Sequence, residues 1–263
     1  MAATSSEHIE AIRHPADAVR HITLADIGDA LAKGVSDFWD KPSHYLFLVL
    51  IYPIVGIVLT VWTTGGDLFP LLYPLATGFA LLGPLAGLGL YEISRRRERG
   101  LDGHGAYAFH VLKSPALGSI AVLGLMLAVC FVLWLMTANA LYLFYFRTDP
   151  PATLVALIWE TLTTPRGWGL LMWGNLIGFF FALFVLLTTA IAFPLLLDRG
   201  GSAWRGIETS IRAFTASPLQ FLAWGLVVAV LLFIGSLPFF VGLAIVLPIL
   251  GHATWHLYRK AVV

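Results

Sequence analysis

The sequence predicts an all-α membrane protein, a polytopic transmembrane helical bundle of six spans. Three observations predict it. The 263 residues are 59% hydrophobic and only 12% charged, with a mean hydropathy of +0.84; a soluble domain is about one quarter charged. Several uncharged runs are long enough to cross a bilayer, which takes roughly 20 apolar residues at 1.5 Å each. The basic residues between those runs are distributed unevenly.

The elements follow in chain order. Residues 1–22 are polar, carry acids and read as a flexible cytoplasmic tail. No apolar stretch follows Met1, so no cleavable leader is expected. Residues 23–263 are expected to form a single membrane domain. The uncharged runs place spans at about 44–63, 68–91, 117–141, 170–196, 218–235 and 238–258. The last two share one run, Ala213 to Tyr258, of 46 residues without Asp, Glu, Lys or Arg. As one helix it would be roughly 69 Å long, over twice the hydrocarbon thickness. It must fold back, and Gly235, Ser236 and Pro238 supply the break. Between spans three and four, Pro150-Pro151 opens a short helix with Leu154, Val155, Leu157, Ile158 and Leu162 apolar, expected in the outer interface.

Charge orients the bundle. With six spans and the N-terminus inside, the inner segments hold 14 of the 16 Lys and Arg residues, and the outer loops hold Arg147 and Arg166. Cytoplasmic loops are the ones enriched in Lys and Arg, so both termini are expected in the cytoplasm. The cluster Arg95, Arg96, Arg97 and Arg99 is the strongest topological marker.

The segments before the spans repeat. Leu24, Ile27, Leu31, Val35 and Phe38 make one apolar stripe of a helix, with Asp26, Asp29, Lys33 and Asp37 elsewhere around it, and Lys41-Pro42 ends it. Shifted by 176, Leu31, Val35, Phe38 and Pro42 fall on Ile207, Ile211, Phe214 and Pro218. Shifted by 164, Pro84, Gly87, Tyr91 and Arg95 fall on Pro248, Gly251, Trp255 and Arg259. A weaker middle copy runs through Ala108, Val111 and Ser114-Pro115 to Pro194. The unit is an inner-face amphipathic helix, a proline and a membrane hairpin. Three such units predict tandem or pseudo-threefold packing, with Pro42, Pro84, Pro115, Pro194, Pro218 and Pro248 as structural prolines.

Chemistry is sparse. Ionisable groups at membrane depth point to transport paths, and only Glu92 comes near; its place beside Arg95 and Arg96 reads as an interfacial helix end. Asn139 and Asn175 are candidate interhelical hydrogen-bonders. His252 and His256 share a helix face four residues apart, and His44 stands at the inner start of span one. Imidazoles so spaced are the candidates for a metal or a haem iron. The competing reading is an interfacial belt with Trp255 and Tyr258, alongside Trp39, Tyr45, Trp62, Trp168 and Trp173. No phosphate loop, nucleophile elbow or cysteine pair is present, and Cys130 is the one cysteine. No catalytic residue, cofactor or metal is assigned. The net charge of +1 suggests no nucleic-acid partner. Gly83, Gly87 and Gly89 are spaced for close helix contact.

The stretch from the Asp26–Pro42 helix through Gly83-Pro84 and Tyr91-Glu92 to Arg95–Arg99, and then the last hairpin, resembles a bacterial family of integral membrane proteins, domain of unknown function 2189. The resemblance implies a location in the bacterial inner membrane and transfers no catalytic residues. Some members carry a cytochrome c oxidase subunit label; a haem–copper catalytic subunit needs several histidines within its spans, and only His252 and His256 approach that. The expected role is non-enzymatic, as an accessory or assembly partner of a membrane complex. The bilayer is one partner and another membrane protein a second. The alternative is a transporter or channel for an apolar or amphipathic solute.

Overall fold

Proline is tolerated in the first turn of a helix, where its missing N–H would have no intrahelical partner. The computed structural model describes residues 17–40, 69–102, 104–237 and 241–263. The first span, with Pro42, His44, Tyr45 and Trp62, lies outside the described residues, as do Pro238 and residues 1–16. Among the described residues there are eleven α-helices: α1 (Leu24–Asp40), α2 (Leu72–Leu81), α3 (Gly83–Ala86), α4 (Leu88–Glu98), α5 (Leu117–Phe146), α6 (Leu154–Thr163), α7 (Pro165–Thr189), α8 (Ala192–Arg199), α9 (Ala203–Ala216), α10 (Pro218–Ser236) and α11 (Leu243–Ala261). Two 3-10 segments, Phe69–Leu71 and Gly105–Lys113, join them. Pro84, Pro165, Pro194 and Pro218 all sit in first turns, Pro115 lies in the turn before α5, and Pro248 is inside α11.

Among the described residues, three helical stretches are long and apolar enough to cross a membrane: Leu117–Phe146, Pro165–Arg199 and Pro218–Ser236. The expected second span is instead a broken path. It turns at Leu82, ahead of Pro84, and again at Gly87. The Leu82 N–H bonds the Phe79 carbonyl three residues back, the tightening typical of a helix end. A comparable turn at Ala190-Ile191 precedes Pro194. The 46-residue run is two helices, α10 and α11, packed on each other. A Cβ on Gly242 would lie 2.7 Å from the Gly235 carbonyl oxygen, so the end of α10 and the start of α11 meet backbone to backbone.

By packing, the described residues fall into two compact units, the first within residues 17–40, 84–124 and 186–263, the second within residues 69–83 and 125–185. In the first unit, α1 packs on α11, the 3-10 segment Gly105–Lys113 on α4, and α9 on α8. The ends α4, α8 and α11 also pack on one another. Their packed faces are deeply buried: Leu90, Phe193, Leu195, Ala253 and Tyr258 have no exposed surface. In the second unit, α2 packs on α5 through Gly78, whose Cβ would meet Phe131 at 2.6 Å, and α7 approaches α5 through Gly169 and Gly178. Small residues permitting close backbone approach are the usual basis of helix association in lipid.

Two expectations are corrected here. Residues 17–22 are not a free tail. Val19 forms a bridge with Val262, Ile22 is completely buried, and the Ile22 N–H donates to Ser217 Oγ at 3.0 Å. The polarity that suggested mobility is used in contacts. Second, α1 is rotated from its apolar stripe. Its buried residues are Ile27, Ala30, Gly34, Asp37 and Phe38, and Leu24 is 65% exposed. Close approach decides this: a Cβ on Gly34 would lie 2.7 Å from Ala253 Cβ and the Ile249 carbonyl, so small residues face α11 and carry Asp37 inward. Helix α9 does the same, burying Gly206, Thr209, Ser210 and Ala213 and exposing Trp204.

Candidate functional site

The rotation of α1 brings Asp37 against α4 and α11, where a buried polar cluster forms. Ser94 Oγ lies 2.7 Å from Asp37 Oδ2 and 2.7 Å from His252 Nδ1. A hydroxyl has one proton to give. The bond to a carboxylate is the stronger use of it, so Ser94 donates to Asp37 and accepts from His252 Nδ1–H. His256 Nε2 donates to the same Asp37 oxygen at 3.0 Å. Arg97 Nη1 donates to Asp37 Oδ1 at 2.7 Å, and its other arm reaches Asp40. Burial opposes the charge on Asp37, but the bonds from His256 and Ser94 and the charge of His256 outweigh it and hold the carboxyl below its usual range. His252 has no exposed surface.

A second cluster forms where α4, α8 and α11 meet. Asp198 accepts from Tyr258 Oη at 2.9 Å and from Arg99 Nη2 at 2.8 Å, and Arg259 Nη1 lies 3.6 Å away. Glu98 accepts from Trp255 Nε1 at 3.1 Å and from Arg259 Nε at 3.0 Å. Arg95 Nη1 donates to the Leu197 carbonyl at 2.9 Å near the end of α8. Each helix end therefore finds its opposite charge on another.

The rim is pinned by two further acids. Asp17 receives Arg205 at 2.8 and 2.9 Å and Arg199 at 2.9 Å. Burial works against the Asp17 charge, and the two guanidiniums override it to depress the carboxyl. Asp26 falls to about 2, through the Thr23 backbone N–H first and then Lys260 and the Thr23 hydroxyl. Lys260 bridges Asp26 at 3.0 Å and Asp29 at 2.9 Å, and those partners raise its own pKa.

Several sequence expectations move. Glu92 does lie beside Arg95, and it is buried: it is 2% exposed, and Oε2 lies 2.6 Å from Arg95 Nη2 as an ion pair. Trp255 and Tyr258 are buried rather than belt residues, whereas Trp39, Trp168 and Trp173 are exposed. His252 and His256 do share a site, but each ring is committed to Ser94 or Asp37. Among the described residues no group of three or more His, Cys, Asp or Glu side chains is placed to hold a metal ion. Asn175 receives the Tyr73 hydroxyl at 2.7 Å across α2 and α7, and Asn139 is exposed. The tight-packing role of Gly89 is visible in a 2.8 Å approach of its would-be Cβ to Ala108. Asp37 and Ser94 escaped sequence reasoning because neither falls in an apolar run or a motif. The one available signal was the small-residue face Ala30-Gly34.

Helices long and apolar enough to cross a membrane mark an integral membrane protein of the α-helical class. Residues 72–198, a little under half of the chain, match the family model described as "Predicted integral membrane protein (DUF2189)". The family resemblance drawn from the sequence holds over that stretch. No curated protein and no solved structure matches the chain.

Proposed function

We propose that the protein is a non-enzymatic scaffold of the bacterial inner membrane, an accessory or assembly partner of a membrane complex. It is built from three hairpin units around a pseudo-threefold axis, with six spans and cytoplasmic termini. The observation that carries this reading is the cyclic packing in the first unit. Each pre-span segment lies on the end of another hairpin: Gly105–Lys113 on α4, α9 on α8, and α1 on α11. The buried positions repeat with the same shifts as the sequence. Ala30 and Gly34 of α1 fall on Gly206 and Ser210 of α9, all buried. Gly89 of α4, closest to Ala108, falls on Ala253 of α11, closest to Gly34. The place where the three ends meet is filled by Tyr91, Trp255 and Tyr258 and by the Asp198 and Glu98 ion pairs. A filled junction suits a rigid body better than a solute path.

The test is native-level extraction in mild detergent followed by blue-native electrophoresis and mass spectrometry. Co-migration with a defined set of membrane proteins, and loss of that assembly on deletion of the gene, is expected. Recovery as a lone species that leaves every membrane complex intact would overturn the scaffold. Orientation is tested separately, in a Cys130→Ala background labelled with a membrane-impermeant maleimide on intact spheroplasts. Thr153→Cys should label and Ser202→Cys should not; the reverse pattern would invert the topology.

A further inference from the structure

We propose that the first unit carries a binding cleft for the phosphate of an anionic membrane phospholipid. The cleft, about 370 Å3, lies between the end of α4, the segment Gly105–Lys113 and the end of α8. Glu92, Arg95, Arg96, Lys113, Asp198 and Arg199 are among its walls. Most of these charges are already used: Arg95 pairs with Glu92, Arg199 with Asp17 and Asp198 with Arg99. Arg96 and Lys113 are not so matched. The Arg96 guanidinium lies 3.9 Å over the Tyr107 ring and donates to the Asp102 carbonyl, both uncharged partners. Among the described residues Lys113 has no carboxylate partner, and it is exposed. Two positive charges therefore converge on one concavity without compensation.

A second observation sits inside it. Arg95 is partly buried; its Nη2 pairs with Glu92 Oε2 at 2.6 Å, yet its Nε–H has no acceptor among the described residues. A buried donor left without an acceptor is costly, and a bound group with acceptor oxygens next to Arg95 would remove that cost.

The surroundings point to a lipid source for the phosphate. Phe109 and Leu112 flank the cationic wall and are 61% and 65% exposed. The apolar helix α5 starts four residues beyond Lys113. Exposed apolar side chains beside basic ones, at the start of a membrane-spanning helix, match a headgroup with acyl chains attached. A soluble phosphate would make no use of them.

The test uses full-length delipidated protein in neutral detergent, titrated with phosphatidylglycerol and read by native mass spectrometry. Inorganic phosphate is run as a parallel competitor. Arg96→Gln and Lys113→Gln should each weaken phosphatidylglycerol binding by about fivefold, the worth of one interfacial cation. Arg96→Lys should restore most of the loss. Arg147→Gln, an exposed cation of the second unit, should change nothing. Lys113 is exposed, so its variant remains informative even if Arg96→Gln misfolds. Unchanged binding by the double variant, or equal loss in Arg147→Gln, would overturn the site. Full displacement by millimolar inorganic phosphate would assign the cleft to a soluble anion and overturn the lipid.

Discussion

In the first unit Asp37, Ser94, Thr209 and His252 are buried among partners, whereas the second unit carries Phe144, Val155 and Trp159 on its outside at 80, 76 and 69% exposure. Both are built from helices and both expose apolar side chains, Leu226 and Phe233 of α10 among them in the first unit, but only the first encloses a buried polar network. The second unit is held by glycine steps and a few polar contacts, such as Tyr73 to Asn175 and Arg166 to Glu160 and Asp149. Its apolar surface is what a helix facing lipid should show. The first unit ends its helices in ion pairs and encloses a carboxylate. It resembles the interior of a water-soluble helical protein joined to membrane-spanning helices. The difference teaches where specificity resides: lipid-facing packing tolerates exchange of one apolar side chain for another, whereas a buried charge admits one arrangement.

The comparison breaks most sharply at Asp37. Removing one member of a buried charge network leaves the others unpaired and costs about 3–5 kcal/mol. Asp37→Ala should therefore lower the thermal midpoint in detergent far more than Trp159→Ala, and equal midpoints would refute the contrast. Next comes Gly34→Val, which forces a side chain into the Ala253 and Ile249 backbone. Overpacking of this kind costs about 1–3 kcal/mol. Faster hydrogen exchange in α1 and α11, with α5 and α7 unchanged, is the expected signature.

Acid should act in the same direction, more gently. Asp37 and Asp26 are depressed in the folded state. Their contribution is complete above the unfolded carboxylate value of about 3.9 and is lost as pH falls through the folded values. Between about pH 4 and 2, exchange in α1 should accelerate before exchange in α7; simultaneous loss would show no separate electrostatic contribution there. The smallest effect belongs to the second unit. Tyr73→Phe removes one interhelical hydrogen bond, worth about 0.6 kcal/mol on average in a membrane protein. Its thermal midpoint should fall slightly, and a loss as large as that of Asp37→Ala would erase the distinction.

The helical class and the long apolar helices α5, α7 and α10 were legible in the sequence because length and composition decide them. So was the short helix α6 after Pro150-Pro151, whose Thr153 side chain accepts from the Ala156 N–H. The broken path of residues 72–98 was not, since hydropathy does not register a proline turn within an apolar run. The polar cluster was missed for a related reason. Periodicity ranks faces by apolarity, but α1 was turned by the smallness of Ala30 and Gly34, which carried Asp37 inside with them. The spacing of His252 and His256 marked them as sharing a helix face; their partners Asp37 and Ser94 come from distant segments, and one sequence does not show such pairings.

The seating of α1 on α11 also sets an order of events during synthesis. The two helices are separated by about 200 residues. At roughly 5–20 residues per second, α1 leaves the ribosome about 10–40 s before its partner exists. Throughout that interval Asp37 has neither His256 nor His252 to meet, and the tight face of Ala30 and Gly34 has nothing to close on. A ribosome stalled before Leu243 would thus leave α1 as an open amphipathic end, a mark by which quality control could tell such a copy from one in which α11 has closed on α1.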